Sequence, residues 1–231
     1  MKKNSDQTSL FLKMLKEDDV GEIYIAPRSL QRGPATTEHK VSSFDNEAMR
    51  ELKEMALQCT RCKELAVKRK SVVFGAGNVK AQLMFVGEAP GHDEDEQGLP
   101  FVGQAGQLLT KIIESIGLTR EQVFIANVLK CRPPGNRPPK PEEISNCEPY
   151  LKRQIELIQP KIICALGTFA AQTLLKTDTP ISQLRGKFCD YGGSKMMCTY
   201  HPAYLLRNPG DKRKVWEDMK KIKKELETET P

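Results

Sequence analysis

The chain has 231 residues, of which 39% are hydrophobic and 29% charged, and its formal net charge at pH 7 is +6. This length accommodates one α/β domain and an extension. No apolar run reaches the roughly 18 residues that a membrane span needs, so a membrane role is not expected. Lys and Arg are spread along the chain, so the charge alone does not identify a polyanionic partner.

Seven cysteines occur in a chain whose polar N-terminus has no apolar segment typical of a secretory signal. Cysteines in a reducing compartment bind metals more often than they form disulfides. We therefore expect a cytoplasmic protein in which some cysteines are ligands.

Residues 1–43 are predicted to be an N-terminal extension, with a short helix from Ser9 to Lys16, and residues 44–231 are predicted to form the folded domain. The extension has weak hydrophobic periodicity. In the domain, apolar residues at helical spacing predict a helix that leads to the first cysteines. These residues are Ala48, Leu52, Met55 and Ala56.

Apolar segments and helical patterns alternate through the rest of the chain. Strands are predicted at Ser71–Phe74, Gln82–Val86, Val123–Leu129, Lys161–Leu166 and Met196–Thr199. Helices are predicted at Leu108–Ile116, from Pro141, after Gly167 and over residues 211–227. This alternation predicts a mostly parallel sheet with helices on both faces. Ligands bind such sheets outside the carboxyl ends of the strands, where Gly87, Asn127 and His201 are placed.

Four cysteines have a spacing that suggests a metal site: Cys59, Cys62, Cys131 and Cys147. A C-x2-C turn presents two sulfurs on one side, and the fold must bring in the other two. The four cysteines alone do not distinguish zinc from an iron–sulfur cluster. The other cysteines, Cys164, Cys189 and Cys198, are expected to be small hydrophobic residues.

The segment after the second predicted strand is acidic and rich in glycine. Glu88 and its acidic neighbours could position water or stabilise positive charge, although such a segment alone is more typical of a solvated loop. Phe101 precedes a glycine-rich helix start, so it could stack on a base or be a core residue.

Two polar residues at later strand ends could bind a ligand. Asn127 lies in an apolar strand, and its amide could pair with an amide-like base edge or be satisfied structurally. His201 could donate to a charged leaving oxygen, although a lone histidine is more often structural. Leu205, Leu206 and Arg207 could fill a vacated base stack or form the apolar side of a helix.

Residues 87–106, 127–134 and 201–209 together closely resemble family 4 uracil-DNA glycosylases, the [4Fe-4S] enzymes of the uracil-DNA glycosylase superfamily. The resemblance implies a three-layer α/β/α sandwich with a central four-stranded parallel sheet. It also implies a structural [4Fe-4S] cluster on Cys59, Cys62, Cys131 and Cys147.

The resemblance further implies roles for individual residues. Phe101 would stack on uracil, Asn127 would read its Watson–Crick edge, and His201 would stabilise the uracil anion. Glu94 would lie beside C5 and exclude the thymine methyl group, and either Glu88 or Glu94 would orient water or stabilise the sugar cation. The implied uracil-binding residues are Glu88, Ala89, Pro90, Glu94, Phe101, Asn127 and His201. The implied DNA contacts are Gly103, Leu205 and Arg207.

The hypothesis is therefore a monomeric enzyme that flips uracil out of DNA and hydrolyses its N-glycosidic bond, leaving an abasic site. The alternative is a four-cysteine zinc or iron–sulfur protein that binds nucleic acid without catalysis. Outside the family motifs, Gln7–Phe11 resembles the bacterial sliding-clamp-binding pentapeptide except for the Leu at its second position. It could dock Leu10 and Phe11 in a clamp cleft or be a short helix packed on the body.

Overall fold

The structure is a computed structural model that describes residues 47–228. The predicted 1–43 extension, with its Ser9–Lys16 helix and the Gln7–Phe11 peptide, lies outside these residues. Within the described part of the chain, no helix has both the length and the apolar character required to cross a bilayer.

Residues 47–228 contain six strands and nine α-helices. The strands are β1 (Ala76–Gly77), β2 (Leu83–Gly87), β3 (Phe124–Asn127), β4 (Ile162–Leu166), β5 (Phe188–Tyr191) and β6 (Ser194–Thr199). The helices are α1 (Glu47–Leu57), α2 (Lys63–Lys68), α3 (His92–Gln97), α4 (Gln104–Ser115), α5 (Pro141–Ile158), α6 (Gly167–Leu175), α7 (Ile181–Leu184), α8 (Pro202–Arg207) and α9 (Lys212–Glu227). Short 3-10 turns occur at Pro134–Asn136 and Pro209–Asp211.

The strands form one mixed sheet in the order β1-β3-β2-β4-β6-β5. The inner strands β3, β2, β4 and β6 are parallel to one another, whereas β1 and β5 pair antiparallel at the two edges. The expected four-stranded parallel sheet is therefore the centre of a larger sheet. Its two antiparallel edge strands were not predicted.

Helices cover both faces of the sheet, as the alternation of strands and helices predicts. Along β2, Met84 and Val86 join the core under α1, α5 and α6, whereas Leu83 and Phe85 join the core under α4 and α9. Every residue of β2 is buried. A strand covered on both faces is continuously apolar rather than alternating, which explains why the sequence marks it clearly.

The predicted strand at Ser71–Phe74 is wrong, because this segment is irregular. Val72, Val73 and Phe74 are buried, and the Val73 amide donates to the Lys130 carbonyl at 2.7 Å. The segment therefore packs as an apolar run without joining the sheet.

The four inner strands end at the same edge of the sheet. β2 ends at Gly87, β3 at Asn127, β4 at Leu166 and β6 at Thr199, two residues before His201. The polar residues that follow these strands are therefore brought together at one edge, as the parallel arrangement predicts.

Candidate active site

A cavity of about 740 Å³ opens at the carboxyl ends of the inner strands. Its lining contains eight of the residues predicted from the sequence: Glu88, Ala89, Pro90, Glu94, Phe101, Asn127, His201 and Arg207. It also contains Gly167, Thr168, Phe169, Tyr200 and Tyr204, which were not predicted as site residues. Residues more than 100 positions apart in the sequence thus share one concave surface.

Asn127 contributes a buried amide that has an unused acceptor. The residue is 1% exposed, and its Oδ1 finds no hydrogen-bond donor within the described part of the chain. Its backbone position is set by the sheet, since the next residue, Val128, donates to the Gly87 carbonyl at 2.9 Å. An unpaired buried acceptor costs about 1–3 kcal/mol, so this oxygen is suited to a ligand N–H.

Phe101 and Asn127 border a space that exists only because Gly87 has no side chain. A Cβ at Gly87 would overlap Asn127 Oδ1 and lie 2.5 Å from Phe101 Cζ. Phe101 itself has a φ of 53°, and a Cβ at Gly106 would overlap its carbonyl group. The two glycines therefore allow Phe101 to place its ring against the pocket.

His201 is held as a neutral hydrogen-bond donor. Its Nδ1 accepts a hydrogen bond from the Ala203 amide at 3.1 Å, so the proton of the neutral ring is on Nε2. Burial, together with the positive charge of Arg207, lowers the pKa of His201 to about 4. The imidazole ring lies 5.6 Å from the Phe101 ring, centroid to centroid. His201 can therefore donate from Nε2 at neutral pH without carrying a charge.

Glu88 is a half-buried carboxyl group at the end of β2. Burial raises its pKa to about 7. Its backbone carbonyl accepts from the Leu129 amide at 3.0 Å, but its carboxyl group has no hydrogen bond or ion pair with any of residues 47–228. The carboxyl group is thus available to water or to a developing positive charge.

Glu94, in contrast, uses both carboxylate oxygens within the protein. Oε2 accepts from the Gly91 amide at 3.1 Å, and Oε1 accepts from the amides of Val102 at 2.8 Å and Gly103 at 3.0 Å. These bonds tie the acidic turn to the segment that carries Phe101. The Glu94 side chain is therefore a fixed part of the cavity wall.

Helix α8 buries one of the two of its residues that were predicted to contact DNA. Leu205 is 1% exposed and packs in the core beneath α4 and α9, so the prediction that it contacts DNA does not agree with its burial. The helix instead leaves Leu206 45% exposed, and Arg207 lines the cavity. The helical rotation of about 100° per residue separates the two leucines.

The four predicted ligand cysteines are reduced and close to one another. Cys131 and Cys147 are buried in the core, and Cys59 and Cys62 pack against it. Burial is the main cause that raises the pKa of Cys147 to about 12; Lys130 opposes the increase, whereas the neighbouring Cys131 and Cys62 thiols contribute to it. Burial also raises the pKa of Cys62, to which Cys131 and Cys59 contribute. The fold therefore brings the C-x2-C pair to the two distant cysteines.

The surroundings of these thiols suit bound thiolates. Arg69 Nη1 donates to Cys131 Sγ at 3.2 Å, and the Lys130 amide donates to Cys147 Sγ at 3.1 Å. Within residues 47–228, no three Cys, His, Asp or Glu side chains are arranged to hold a single metal ion. Structural zinc sites and [4Fe-4S] clusters are both held by four cysteine thiolates, so the donor set is compatible with either group.

Comparison with known proteins identifies the family. The profile described as "Uracil DNA glycosylase superfamily" matches residues 74–220. The chain belongs to this superfamily. The matched region begins before β2 and ends within α9, so it contains every pocket residue discussed above.

Several relatives of this superfamily member carry the name type-4 uracil-DNA glycosylase. The chain is 46% identical to that of Archaeoglobus fulgidus over 76% of its own length and 92% of the relative's. It is 49% identical to that of Saccharolobus solfataricus, covering 73% and 82% of the two chains. It is 44% identical to that of Thermotoga maritima, covering 79% and 97%.

A proline-rich loop of this glycosylase-superfamily chain connects the pocket to the cysteines. Arg137 lines the cavity and forms a two-pronged ion pair with Glu143, at 2.6 and 2.9 Å. It also contacts Glu64, 3.0 Å away in the helix that follows Cys62. Arg137 was not selected from the sequence, which does not show that Glu64, 73 residues away, lies beside it.

Three of the pocket residues that were missed lie directly at strand ends. Gly167 and Thr168 come after β4, and Tyr200 comes after β6. Their position after a buried strand was a usable signal, since every inner strand ends at this edge. Glycine, threonine and tyrosine are common throughout proteins, so residue type alone did not select them.

Proposed function

We propose that this protein is a uracil-DNA glycosylase, which flips uracil out of DNA and hydrolyses its N-glycosidic bond to leave an abasic site. The observation that carries the proposal is the unpaired, buried Oδ1 of Asn127 in a pocket walled by Phe101 and His201. The type-4 names of relatives that are 44–49% identical support the same function. The reaction belongs to base excision repair.

Recognition of uracil follows from the amide of Asn127. Its Oδ1 accepts the N3–H of uracil while its NH2 group donates to O4. Cytosine presents an acceptor at N3 and an amino donor at C4. In the same amide orientation, Asn127 would therefore place its acceptor against the N3 acceptor and its donor against the amino donor. The Phe101 ring stacks on the flipped base, which offsets part of the cost of leaving the DNA stack.

Rejection of thymine is assigned to Glu94, beside C5 of the bound base. Three backbone N–H groups hold its carboxylate, so the wall cannot move away to admit a methyl group without losing these bonds. Ala89 and Pro90 line the same cavity next to Glu88. Backbone groups around Glu88 and Ala89 are proposed to bind the O2 side of the base.

Bond cleavage leaves negative charge on uracil and positive charge on the sugar. The neutral His201 donates from Nε2 to the uracil anion, which stabilises the leaving group. Because its Nδ1 is already bonded to Ala203, the ring does not need to reorient during the reaction.

Glu88 is proposed to act on the sugar side. Its free carboxylate orients the attacking water or stabilises the oxocarbenium-like sugar. A pKa of about 7 makes a mixture of both protonation states available near neutral pH, and a positively charged sugar favours the ionised form.

The cysteines are proposed to hold a [4Fe-4S] cluster, with Cys59, Cys62, Cys131 and Cys147 as ligands. When bound, the cluster supplies a structural cross-link. Cys131 lies four residues after Asn127, and Cys147 lies on α5, so the link stabilises the region behind the base-reading strand. The chemistry of excision remains with Glu88, Asn127 and His201.

The DNA backbone is proposed to contact the rim of the cavity. Gly103 at the start of α4 and Arg207 at the end of α8 are the predicted contacts. The exposed Leu206 takes the place of the buried Leu205 as the side chain that could enter a vacated base stack.

The oligomeric state, the cellular location and the domain boundaries are also proposed. A DNA substrate and seven free cysteines suit a monomeric enzyme of the cytoplasm. The glycosylase domain is placed at residues 44–231 and the extension at 1–43.

The Gln7–Phe11 peptide is proposed to bind a bacterial sliding clamp through Leu10 and Phe11. Deleting residues 1–12 should remove retention on immobilised clamp while uracil excision stays unchanged. Undiminished retention of the deletion variant would contradict this assignment.

A duplex oligonucleotide with one uracil tests the main proposal. We expect strand breakage after alkali treatment, because alkali cleaves abasic sites, and no breakage of the matched thymine oligonucleotide. A protein that binds the uracil duplex but yields no product would support the alternative of a nucleic-acid-binding protein without catalysis. A brown protein that absorbs from the near-ultraviolet into the visible range distinguishes a cluster from zinc, which is colourless.

A further inference from the structure

Lys130 is a buried cation between the two functional regions. It is 2% exposed, although lysine is almost never fully buried unless it is paired. None of the carboxylates of residues 47–228 forms a salt bridge with it. Its ammonium group instead donates to the Asn127 carbonyl at 2.9 Å and to Gln154 Oε1 at 2.6 Å. Its Nζ also lies 6.0 Å from the centroid of the Phe74 ring.

The backbone of Lys130 is held as firmly as its side chain. Its amide donates to Cys147 Sγ at 3.1 Å, and its carbonyl accepts from the Val73 amide at 2.7 Å. Cys147 and Gln154 both lie on α5, seven residues apart and so on the same side of the helix. Lys130 therefore contacts α5 twice, once through its backbone and once through its ammonium group.

The bond from the ammonium group to Asn127 stabilises a carbonyl at the very end of β3. Beyond the end of β3, the Val128 and Leu129 amides donate to the carbonyls of Gly87 and Glu88. These hydrogen bonds toward β2 do not involve the Asn127 carbonyl. Lys130 Nζ reaches back three residues and supplies the donor. A charge-assisted bond of this kind is about twice as strong as a neutral one.

We propose that Lys130 is a positioning residue, whose ammonium group fixes the backbone of Asn127 against α5 so that the Asn127 amide faces the uracil base. This inference rests on the proposed function of the pocket. It also provides a physical connection between the cysteine site and base recognition, because the same residue donates to Cys147. A displacement of about 1 Å at such a group can reduce a rate by about 10²-fold.

The experiment compares Lys130→Met with the wild-type protein in single-turnover excision and in inhibition by free uracil. We expect an excision rate that is about 10-fold to 100-fold lower, and an inhibition constant for uracil that is raised by a similar factor. Visible absorbance of the cluster should be retained. In an Asn127→Ala background, adding Lys130→Met should lower the rate by no more than about twofold, because both changes remove the same interaction.

Two controls separate positioning from general damage. Lys80→Met changes an exposed lysine and should behave as the wild type. Ser194→Ala removes a buried hydrogen bond to the Pro160 carbonyl at the opposite end of the sheet. It should lower the midpoint of thermal unfolding but leave inhibition by uracil unchanged. If Ser194→Ala weakens uracil inhibition as much as Lys130→Met, the proposal is overturned.

Other outcomes also decide the matter. Wild-type uracil inhibition in Lys130→Met, or a rate loss that adds fully to that of Asn127→Ala, would overturn the positioning role. If Lys130→Met does not fold, Lys130→Gln, which keeps a donor in the same space, takes its place. Failure of both variants to fold would assign Lys130 to folding alone and overturn the proposal. Wild-type protein that does not excise uracil would refute the proposed function itself, a result that no Lys130 variant can produce.

Discussion

The pocket and the cysteine site are both assembled from distant parts of the chain, but their polar groups are in different states. In the pocket, the strand ends hold side chains whose functional atoms have no partner among residues 47–228, namely Asn127 Oδ1 and the Glu88 carboxyl group. In the cysteine site, buried thiols adjoin one another with raised pKa values, as Cys147 does at about 12.

This difference indicates how each site obtains its geometry. The sheet ladder and short backbone bonds set the pocket before any base arrives, which suits a ligand that must leave after each reaction. Buried neutral thiols bind a metal group only after losing their protons, so the cluster proposed for the cysteine site would stabilise the fold on binding. Changes in the pocket should therefore affect catalysis, and changes in the cysteine site should affect folding.

The largest effect is expected for His201→Ala. Loss of the Nε2 donor to the uracil anion should lower kcat by about 10²–10³-fold, while binding to uracil-containing DNA persists. Single-turnover excision and a gel-shift assay measure the two quantities. His92→Ala, which changes an exposed histidine outside the cavity, should keep wild-type activity. Wild-type turnover in His201→Ala would remove this residue from the mechanism.

Gly87→Ala should reduce excision by about 10²-fold, because the added Cβ occupies the space beside Asn127 Oδ1 and the Phe101 ring. Inhibition by free uracil should weaken in parallel. Gly210→Ala is the matched control, since a Cβ there has no atom within 4 Å. Equal activity of the two variants would mean that the base does not enter this space.

The pH dependence of kcat/KM should distinguish Glu88 from His201. If ionised Glu88 is required, kcat/KM should rise about tenfold per pH unit below a pKa of about 7 and level off above it. His201, with a pKa of about 4, stays neutral near pH 7 and should cause no change of slope in this part of the kcat/KM profile. Glu88→Gln should be slower and lack the limb near pH 7. A limb that survives in Glu88→Gln would assign the titration to another group.

The smallest effect on the chemistry is expected for Cys59→Ser. Loss of one ligand should lower soluble yield and visible absorbance, with a midpoint of thermal unfolding lower by about 5–10 °C for a loss of about 2–3 kcal/mol. The folded fraction should excise uracil at a rate within about twofold of the wild type. Cys189→Ser, outside the proposed ligand set, should retain full absorbance. Unchanged absorbance, stability and yield in Cys59→Ser would argue against ligation by Cys59.

The inner strands were predictable because they are buried on both faces. Runs such as Leu83–Gly87 and Ile162–Leu166 are continuously apolar, and their predicted bounds were within one residue. The edge strand Phe188–Tyr191 was missed because it is only partly buried and its pattern is mixed. Ser71–Phe74 was predicted wrongly as a strand because an apolar run indicates only that a segment is buried. A buried segment need not pair with a sheet.

The site residues were predictable where a polar side chain that can bind a ligand lies at or just after the end of a strand. Asn127 and His201 were selected on this ground, and the structure places both in the cavity. The side chain of Leu205 was misplaced because a short motif does not show which face of α8 is covered. Lys130 was not selected at all, since the sequence shows a lysine beside a cysteine and gives no sign that it is buried.

The sequence by itself determined the four inner strands and the longer helices, the burial of those strands, and which residue types could perform the chemistry. These properties depend on local periodicity and composition, which can be read over a few residues. Only the tertiary structure decided that Cys62 and Cys131 meet across 68 intervening residues, that Asn127 keeps an unpaired oxygen, and that Lys130 joins the two regions. These properties depend on strand order and packing, because proximity, desolvation and the loss of water partners arise only when distant segments come together.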